Sequence, residues 1–383
     1  MPLAWGTGVA LALAALTALA PVSGRGASDV YTVGGVGVDV TAESAADARE
    51  QGIRAARRKA FERLIGRMVP RERHDAVPTP RGEDLKQLVR GFEISESKTS
   101  GVRYIGTLRF TFQRAAVREL LRRRQIPFAE TRSKPVVVLA VYGARANPVL
   151  WADPNPWRRA WGRMDSGRGL VPFAVPLGDL ADIQAISAEQ ALRHARDPLR
   201  AVADNHGARD ALVAQAVPAG TPEAGTLSAR FVASRVLDGD RAREIAFTQE
   251  QREDESRKAF YDRAAARVAR RIEERWKRAN LLDFQQRHTL VAEAPVRTLA
   301  QWVRIEDRLQ GVPLVERIGV RRLRRSGVRL RLGYYGEPGQ LATAMAQNGL
   351  QLLPPGGGAA SVIRLGGSVA PPALEAWARG GAS

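Results

Sequence analysis

The first third of the chain switches between strand and helix patterns of apolar residues. Val36, Val38 and Val40 alternate with small or polar residues, the two-residue period of a strand with one buried face. From Glu43 to Met68 apolar residues recur every three or four positions, which predicts a long helix with one apolar stripe. Residues 28–130 are therefore predicted to form a β-α-β-β-α domain, completed by a strand around Phe92 and Ile94, a strand from Val102 to Phe112 and a helix from Arg114 to Arg124.

The middle of the chain predicts a sheet covered by helices. Val136 to Tyr142 is a continuous apolar run of strand length, as expected for a strand buried on both faces. Strand and helix patterns then alternate, and Ser187 with Gln190 can form a capping box at one helix start. We predict an α/β domain over residues 134–250. A helix with apolar residues at four-residue steps follows, and we interpret residues 253–280 as a helix at a domain boundary.

Residues 287–354 show the clearest order of elements. Strand and helix patterns follow each other as β-α-β-β-α-β, the ferredoxin-like order. Residues 355–383 are rich in Gly, Pro and Ala and are interpreted as a tail, in which Ser361 to Leu365 has the length of one further short strand. The fold class predicted from these patterns is α+β or α/β, with several small sheet-plus-helix domains.

The N-terminus has the pattern of a secretory signal peptide. Val9 to Ala20 is an uninterrupted apolar run, followed by a small, turn-prone stretch. A run of this length is short for a membrane span, which needs roughly 20 residues. We therefore predict that residues 1–27 are a cleaved signal peptide and that the mature protein is periplasmic. Because no Lys or Arg precedes the run, an uncleaved membrane anchor is the alternative.

Residue usage excludes several chemistries. The 383-residue chain contains no cysteine, which excludes disulfides, thiol nucleophiles and iron–sulfur ligation. Its four histidines are far apart in sequence and form no HExxH or HxH group, so we expect no metal. Gly34, Gly35 and Gly37 lack the spacing of a dinucleotide-binding loop and precede no helix directly, so we expect no cofactor and predict a bulge or relief of crowding in the strand.

The formal net charge of +19 suggests an anionic partner. Basic runs occur at Arg54 to Lys59, at Arg122 to Arg124 and at Arg321 to Arg325. Aromatic residues make up 6% of the chain and are not interleaved with these runs, as they are in single-strand binders, so no nucleic acid partner is expected. The runs are either solvated faces of helices and strands or contacts to an anionic membrane surface.

Three of the seven tryptophans lie within eleven residues, in the segment LWADPNPWRRAW. Asn155 is placed to cap a helix, with Pro156 at its first position. The indoles can form a structural plug that closes the domain, or they can form a site for a ligand or a partner. Two acids near the motif could carry out acid–base catalysis only at a definite separation of their carboxylates. The candidate residues of this Trp motif are Trp151, Asp153, Pro154, Asn155, Pro156, Trp157 and Trp161.

Several segments together carry a resemblance to a known family. They resemble the bacterial exported family catalogued as domain of unknown function two thousand sixty-six, and the resemblance spans most of the mature chain, with the Trp motif as its most specific part. It implies an exported protein and brings no established activity. The segments are VDVTAESAADAREQGIRAARRKAFERL, LWADPNPWRRAW, LVPFAVPLGDLADIQAISAEQAL, LAQWVRIEDRLQGVPLVERIGV and LRLGYYGEPGQLATAMAQNGLQL.

Three functional hypotheses follow. The leading one is a non-enzymatic cell-envelope scaffold or assembly factor that binds envelope proteins or the anionic membrane surface. The second is a hydrolase or transferase of envelope polymers that uses a carboxylate pair, and a cleft with two facing acids would favour it. The third is a nucleic-acid-binding protein with an N-terminal anchor, which a basic groove with exposed aromatic residues would favour.

Overall fold

The computed structural model describes residues 29–165, 167–219, 227–237, 244–282, 284, 287–324, 326–354 and 360–366. These residues form three small sheets, each packed with helices, so the predicted mixed class of several small sheet-plus-helix domains is confirmed. None of the helices in these ranges is long and apolar enough to cross a bilayer. The predicted signal peptide and most of the predicted tail lie outside the described residues.

The first sheet is antiparallel, with its third strand in the middle. Residues Leu108 and Phe110 of that strand are fully buried, whereas Arg109 between them is exposed, as the two-residue period requires. The order is β1-β3-β2, and two short helices precede β2 in addition to the predicted elements. The elements are β1 (Thr32–Thr41), α1 (Ala45–Met68), a 3-10 helix (Arg71–Ala76), α2 (Gly82–Gln87), β2 (Val89–Thr99), β3 (Arg103–Phe112) and α3 (Arg114–Arg123).

The glycines of β1 form a bulge, one of the two alternatives that the sequence left open. The pairing of β1 with β3 shifts register between Val33 and Val36. Gly35 lies inside this shift with a φ of 61°, in the left-handed region that residues with a Cβ seldom adopt. The glycine-rich stretch therefore shapes a strand edge.

The second sheet is mixed and buried on both faces. Its order is β5-β4-β6-β7-β8, with β4 parallel to β5 and β6. Val138 and Leu139 point to opposite faces and enter two separate cores, which explains the continuous apolar run of β4. The elements are β4 (Val136–Tyr142), α4 (Pro156–Arg163), β5 (Phe173–Ala174), α5 (Leu180–Ala185), α6 (Ala188–Leu192), α7 (Arg196–Asn205), β6 (Asp210–Ala219), β7 (Ser228–Arg235), β8 (Ile245–Glu250) and α8 (Arg257–Ala279).

Helix α8, which the sequence places at a domain boundary over residues 253–280, belongs mainly to the core of the second domain. Phe260, Val268 and Ile272 of α8 lie in the same core as α4 and the second sheet. The apolar stripe of α8 is wider than its large residues suggested, because Ala265 and Ala269 are also buried. The helix therefore packs in the second domain, and its C-terminal part from Glu274 to Arg278 contacts the first domain.

The third sheet keeps the predicted β-α-β-β-α-β order but is larger than predicted. Its strand order is β10-β11-β9-β13-β12, and β13 lies between β9 and β12. The sheet therefore extends beyond the predicted limit at residue 354, since β12 pairs with no strand other than β13 in the described part of the chain. The elements are β9 (Arg287–Ala294), α9 (Leu299–Gly311), β10 (Val315–Arg324), β11 (Gly327–Tyr335), α10 (Pro338–Gln347), β12 (Leu350–Leu353) and β13 (Ser361–Leu365).

The first and third domains share one hydrophobic core. Phe284, which lies between the domains in sequence, contacts Phe128 on one side and Tyr335 on the other, with ring centroids 5.4 and 5.3 Å apart. At the end of α8, the Lys277 ammonium donates to the carbonyl oxygens of Gly66 and Val69 at 2.9 and 3.0 Å. The three sheets are thus held together by an apolar contact and by a buried cation at the C-terminal end of α1.

Candidate functional site

The indoles of Trp157 and Trp161 lie in the core of the second domain. Both side chains are fully buried, and their rings meet edge to face at 5.7 Å. Trp157 also packs against Phe231 at 4.9 Å and donates its indole N–H to the Ala214 carbonyl oxygen at 2.9 Å. The indole nitrogen of Trp161 is buried and has no hydrogen-bond partner in the described part of the chain. This position favours the structural plug over a ligand site for these two residues.

Asn155 connects the turn of the Trp motif to the sheet. Its side-chain oxygen accepts from the Arg158 backbone N–H at 2.9 Å, which is the predicted helix cap. Its amide nitrogen donates to the carbonyl oxygen of Ala140 at 3.0 Å and to those of Val149 and Leu150 at 3.2 Å. Asn155 is fully buried, so the turn that contains Pro154 and Pro156 is fixed to the end of β4.

Trp151 lies at the surface beside an apolar patch. Its indole N–H donates to the Ile186 carbonyl oxygen at 2.8 Å, and its ring packs against the backbone of Gly178. The segment around Gly178 exposes large aliphatic side chains. We call these three residues the apolar patch: Leu177, Leu180 and Ile183, which are 88%, 70% and 51% exposed.

The apolar patch is held in place by a buried carboxylate that sequence reasoning missed. Asp182 accepts from the backbone N–H of Gly178 at 3.0 Å, and its other oxygen lies 2.7 Å from Nε2 of His206. Arg158, from the Trp motif, donates to the Leu177 carbonyl oxygen at 2.9 Å. The aspartate and histidine are 24 residues apart, so no local spacing could have indicated the pair. The patch is exposed but tied to α7 and α4 by these contacts.

The acids that flank the Trp motif do not form a facing pair. Asp153 lies 3.2 Å from Arg159, and Asp165 forms an ion pair with Arg168. A hydrogen bond from the Asn155 backbone N–H and the nearby arginines hold the pKa of Asp153 below its usual range. The two acids flank opposite ends of the eight-residue helix α4, about 12 Å long. Each carboxylate is therefore paired with an arginine near its own end of the helix.

A buried acid lies where the second domain meets the first. Glu273 accepts from the backbone N–H groups of Leu170 and Val171, both at 3.1 Å. Burial nevertheless raises the pKa of its carboxyl. Burial, with the charge of Arg132 beside it, lowers the pKa of Arg67 to about 10.

No cluster of three or more potential metal-ligating side chains occurs among the described residues.

Two of the three basic runs make intramolecular contacts. Lys59, in the first run, and Arg63, one turn later on α1, donate to the carbonyl oxygens of Gly37 and Gly35 on the outer edge of β1, at 3.1 and 2.8 Å. Arg122, at the end of α3, lies over the Tyr335 ring at 6.0 Å. The third run lies at the end of β10, where Arg322 and Arg324 are exposed. Much of the positive charge on α1 and α3 is therefore structural.

No family model matches the chain, and no curated protein matches it significantly. The resemblance to the exported family therefore stays a prediction.

Proposed function

We propose that this protein is a non-enzymatic scaffold or assembly factor of the cell envelope, exported to the periplasm, that binds a protein partner through the apolar patch. The observation that carries the proposal is the exposure of Leu177, Leu180 and Ile183 within seven residues of one tethered segment. Exposed aliphatic residues grouped on one short segment, as these are, are typical of protein–protein contacts.

The surroundings of the patch suit an interface. Asp182 and the Trp151 ring fix the segment, so a partner would meet a preorganised surface and little ordering entropy would be lost on binding. Arg159 and Asp153 supply exposed charges at the neighbouring turn, as at the polar rim of an interface. The aromatic core beneath stabilises the patch from inside, which gives the Trp motif a supporting role.

The test compares two double variants with similar exposure. The test variant, Leu180→Ser with Ile183→Ser, changes the apolar patch. The control variant, Leu299→Ser with Val303→Ser, changes exposed residues of α9. Leu180 and Leu299 are matched, because each is 70% exposed. Each purified variant is used to capture partners from envelope extract. We expect the first pair to lose a captured protein that the wild type and the α9 variant retain. Identical capture by all three proteins would contradict the assignment of the patch.

Export is tested separately. A fusion of residues 1–30 to a reporter that is active only outside the cytoplasm is expected to be active, because the apolar run resembles a signal peptide. We expect the mature protein to begin between Arg25 and Asp29. Retention of the fusion in the cytoplasm would contradict the proposed compartment.

A further inference from the structure

The third sheet has one covered face and one open face. Leu330 of β11 is buried in the same core as Trp302 of α9 and Leu341 of α10. Arg329 and Arg331, which alternate with Leu330, are exposed and point to the opposite face. The open face holds a cavity of about 420 Å³, within the range of pockets that take small ligands.

The wall of this cavity is strongly basic. Four arginines line it, together with one carboxylate, Glu293, so the lining carries a formal charge of +3 (four minus one). Glu293 is paired with Arg329, whose Nη2 lies 2.6 Å from its carboxylate oxygen. The guanidinium groups of the other three form no ion pair or hydrogen bond with any described residue: Arg322, Arg324 and Arg364.

The strand register places these arginines close to one another. Arg322 on β10 lies directly opposite Arg329 on β11, and such like-charged cross-strand pairs are destabilising. Arg364 approaches from the other side, because β13 is inserted next to β9. Ser326, in the turn between β10 and β11, and Gly327, at the start of β11, complete the rim near Arg324. The fold thus holds three guanidinium groups around one cavity without a compensating acid for each.

We propose that this cavity binds a phosphate-bearing ligand. Guanidinium groups bind phosphate oxygens through paired, charge-assisted hydrogen bonds, and a phosphate dianion matches the excess charge better than a single carboxylate does. The hydroxyl of Ser326 can donate a further hydrogen bond, and Val362 gives the cavity an apolar side for the group that the phosphate carries. The shared chemistry is a phosphate ester, either in a soluble molecule or in a lipid headgroup.

Inorganic pyrophosphate is the first probe, titrated calorimetrically into the full chain at low ionic strength. Arg324→Ala and Arg364→Ala are expected to weaken its binding by about tenfold or more, because each removes a charge-assisted hydrogen bond. Arg331→Ala is the matched control: it removes the same charge from the same open face but does not line the cavity. We expect the control to bind within about twofold of the wild type.

Vesicles separate the two sources of phosphate. In a flotation assay, the ligand is a lipid headgroup if the wild type binds phosphatidylglycerol vesicles but not phosphatidylcholine vesicles and if Arg324→Ala abolishes this binding. Pyrophosphate binding without vesicle binding shows a soluble ester. Both results support the site. Failure of both probes to bind, or equal weakening by Arg331→Ala and Arg324→Ala, would overturn it, since the effect would then come from overall charge.

Discussion

The two buried tryptophans of the second domain should respond differently to the same conservative substitution. Trp157→Phe and Trp161→Phe remove the same atoms from fully buried positions, so the transfer and cavity contributions to the loss of stability are similar. The two residues differ in hydrogen bonding. The Trp157 indole N–H donates to the Ala214 carbonyl oxygen, whereas the Trp161 indole N–H has no partner among the described residues.

The magnitude follows from this difference. Loss of the Trp157 hydrogen bond should cost about 0.5–1.5 kcal/mol. The unpaired N–H of Trp161 carries a desolvation penalty of about 1–3 kcal/mol in the folded protein, and phenylalanine removes that penalty. Trp161→Phe is therefore expected to be less destabilising than Trp157→Phe by about 1.5–4.5 kcal/mol. Both alanine variants should cost about 3–5 kcal/mol, because each leaves a large cavity.

Urea unfolding followed by far-ultraviolet circular dichroism measures these differences, since the midpoint shifts with stability at constant slope. A Trp161→Phe variant that is as unstable as Trp157→Phe would refute the reasoning about the unpaired N–H. Unchanged midpoints for both alanine variants would refute the packing argument itself, and the Trp motif would then be a candidate binding surface.

Three further outcomes are expected. A fragment of residues 281–366 should unfold in urea at a higher midpoint than a fragment of residues 287–354, because β12 of the shorter fragment has no strand to pair with; equal midpoints would contradict this. Since burial raises the pKa of Glu273, its contribution to stability is complete below the ordinary value of about 4.3 and is lost as pH rises through the raised pKa. The urea midpoint of the wild type should therefore fall as pH rises through the raised pKa of Glu273, and Glu273→Gln should make this fall smaller. The same dependence of the midpoint on pH in both proteins would contradict this role of Glu273. Ser187→Ala should cost about 1 kcal/mol in the same assay because it breaks the capping box of α6, and a loss near zero would show that the box is dispensable.

Local patterns determined most of the elements and their ends. The period of two in β3, the period of three to four in α1 and the capping residues Ser187 and Asn155 are all readable along the chain, because they depend on neighbours within a few residues. The order of elements in the third domain was readable for the same reason. The glycine bulge of β1 was one of two alternatives that its composition allowed.

Only the tertiary structure decided which elements pack together. The membership of α8 in the second core, the insertion of β13 and the core shared through Phe284 all depend on contacts between residues that are far apart in sequence. The candidate sites depend on the same kind of contact. The Asp182–His206 pair and the arginine-lined cavity join residues from separate elements, and a side chain's position in a strand or helix does not say which distant residue it will meet.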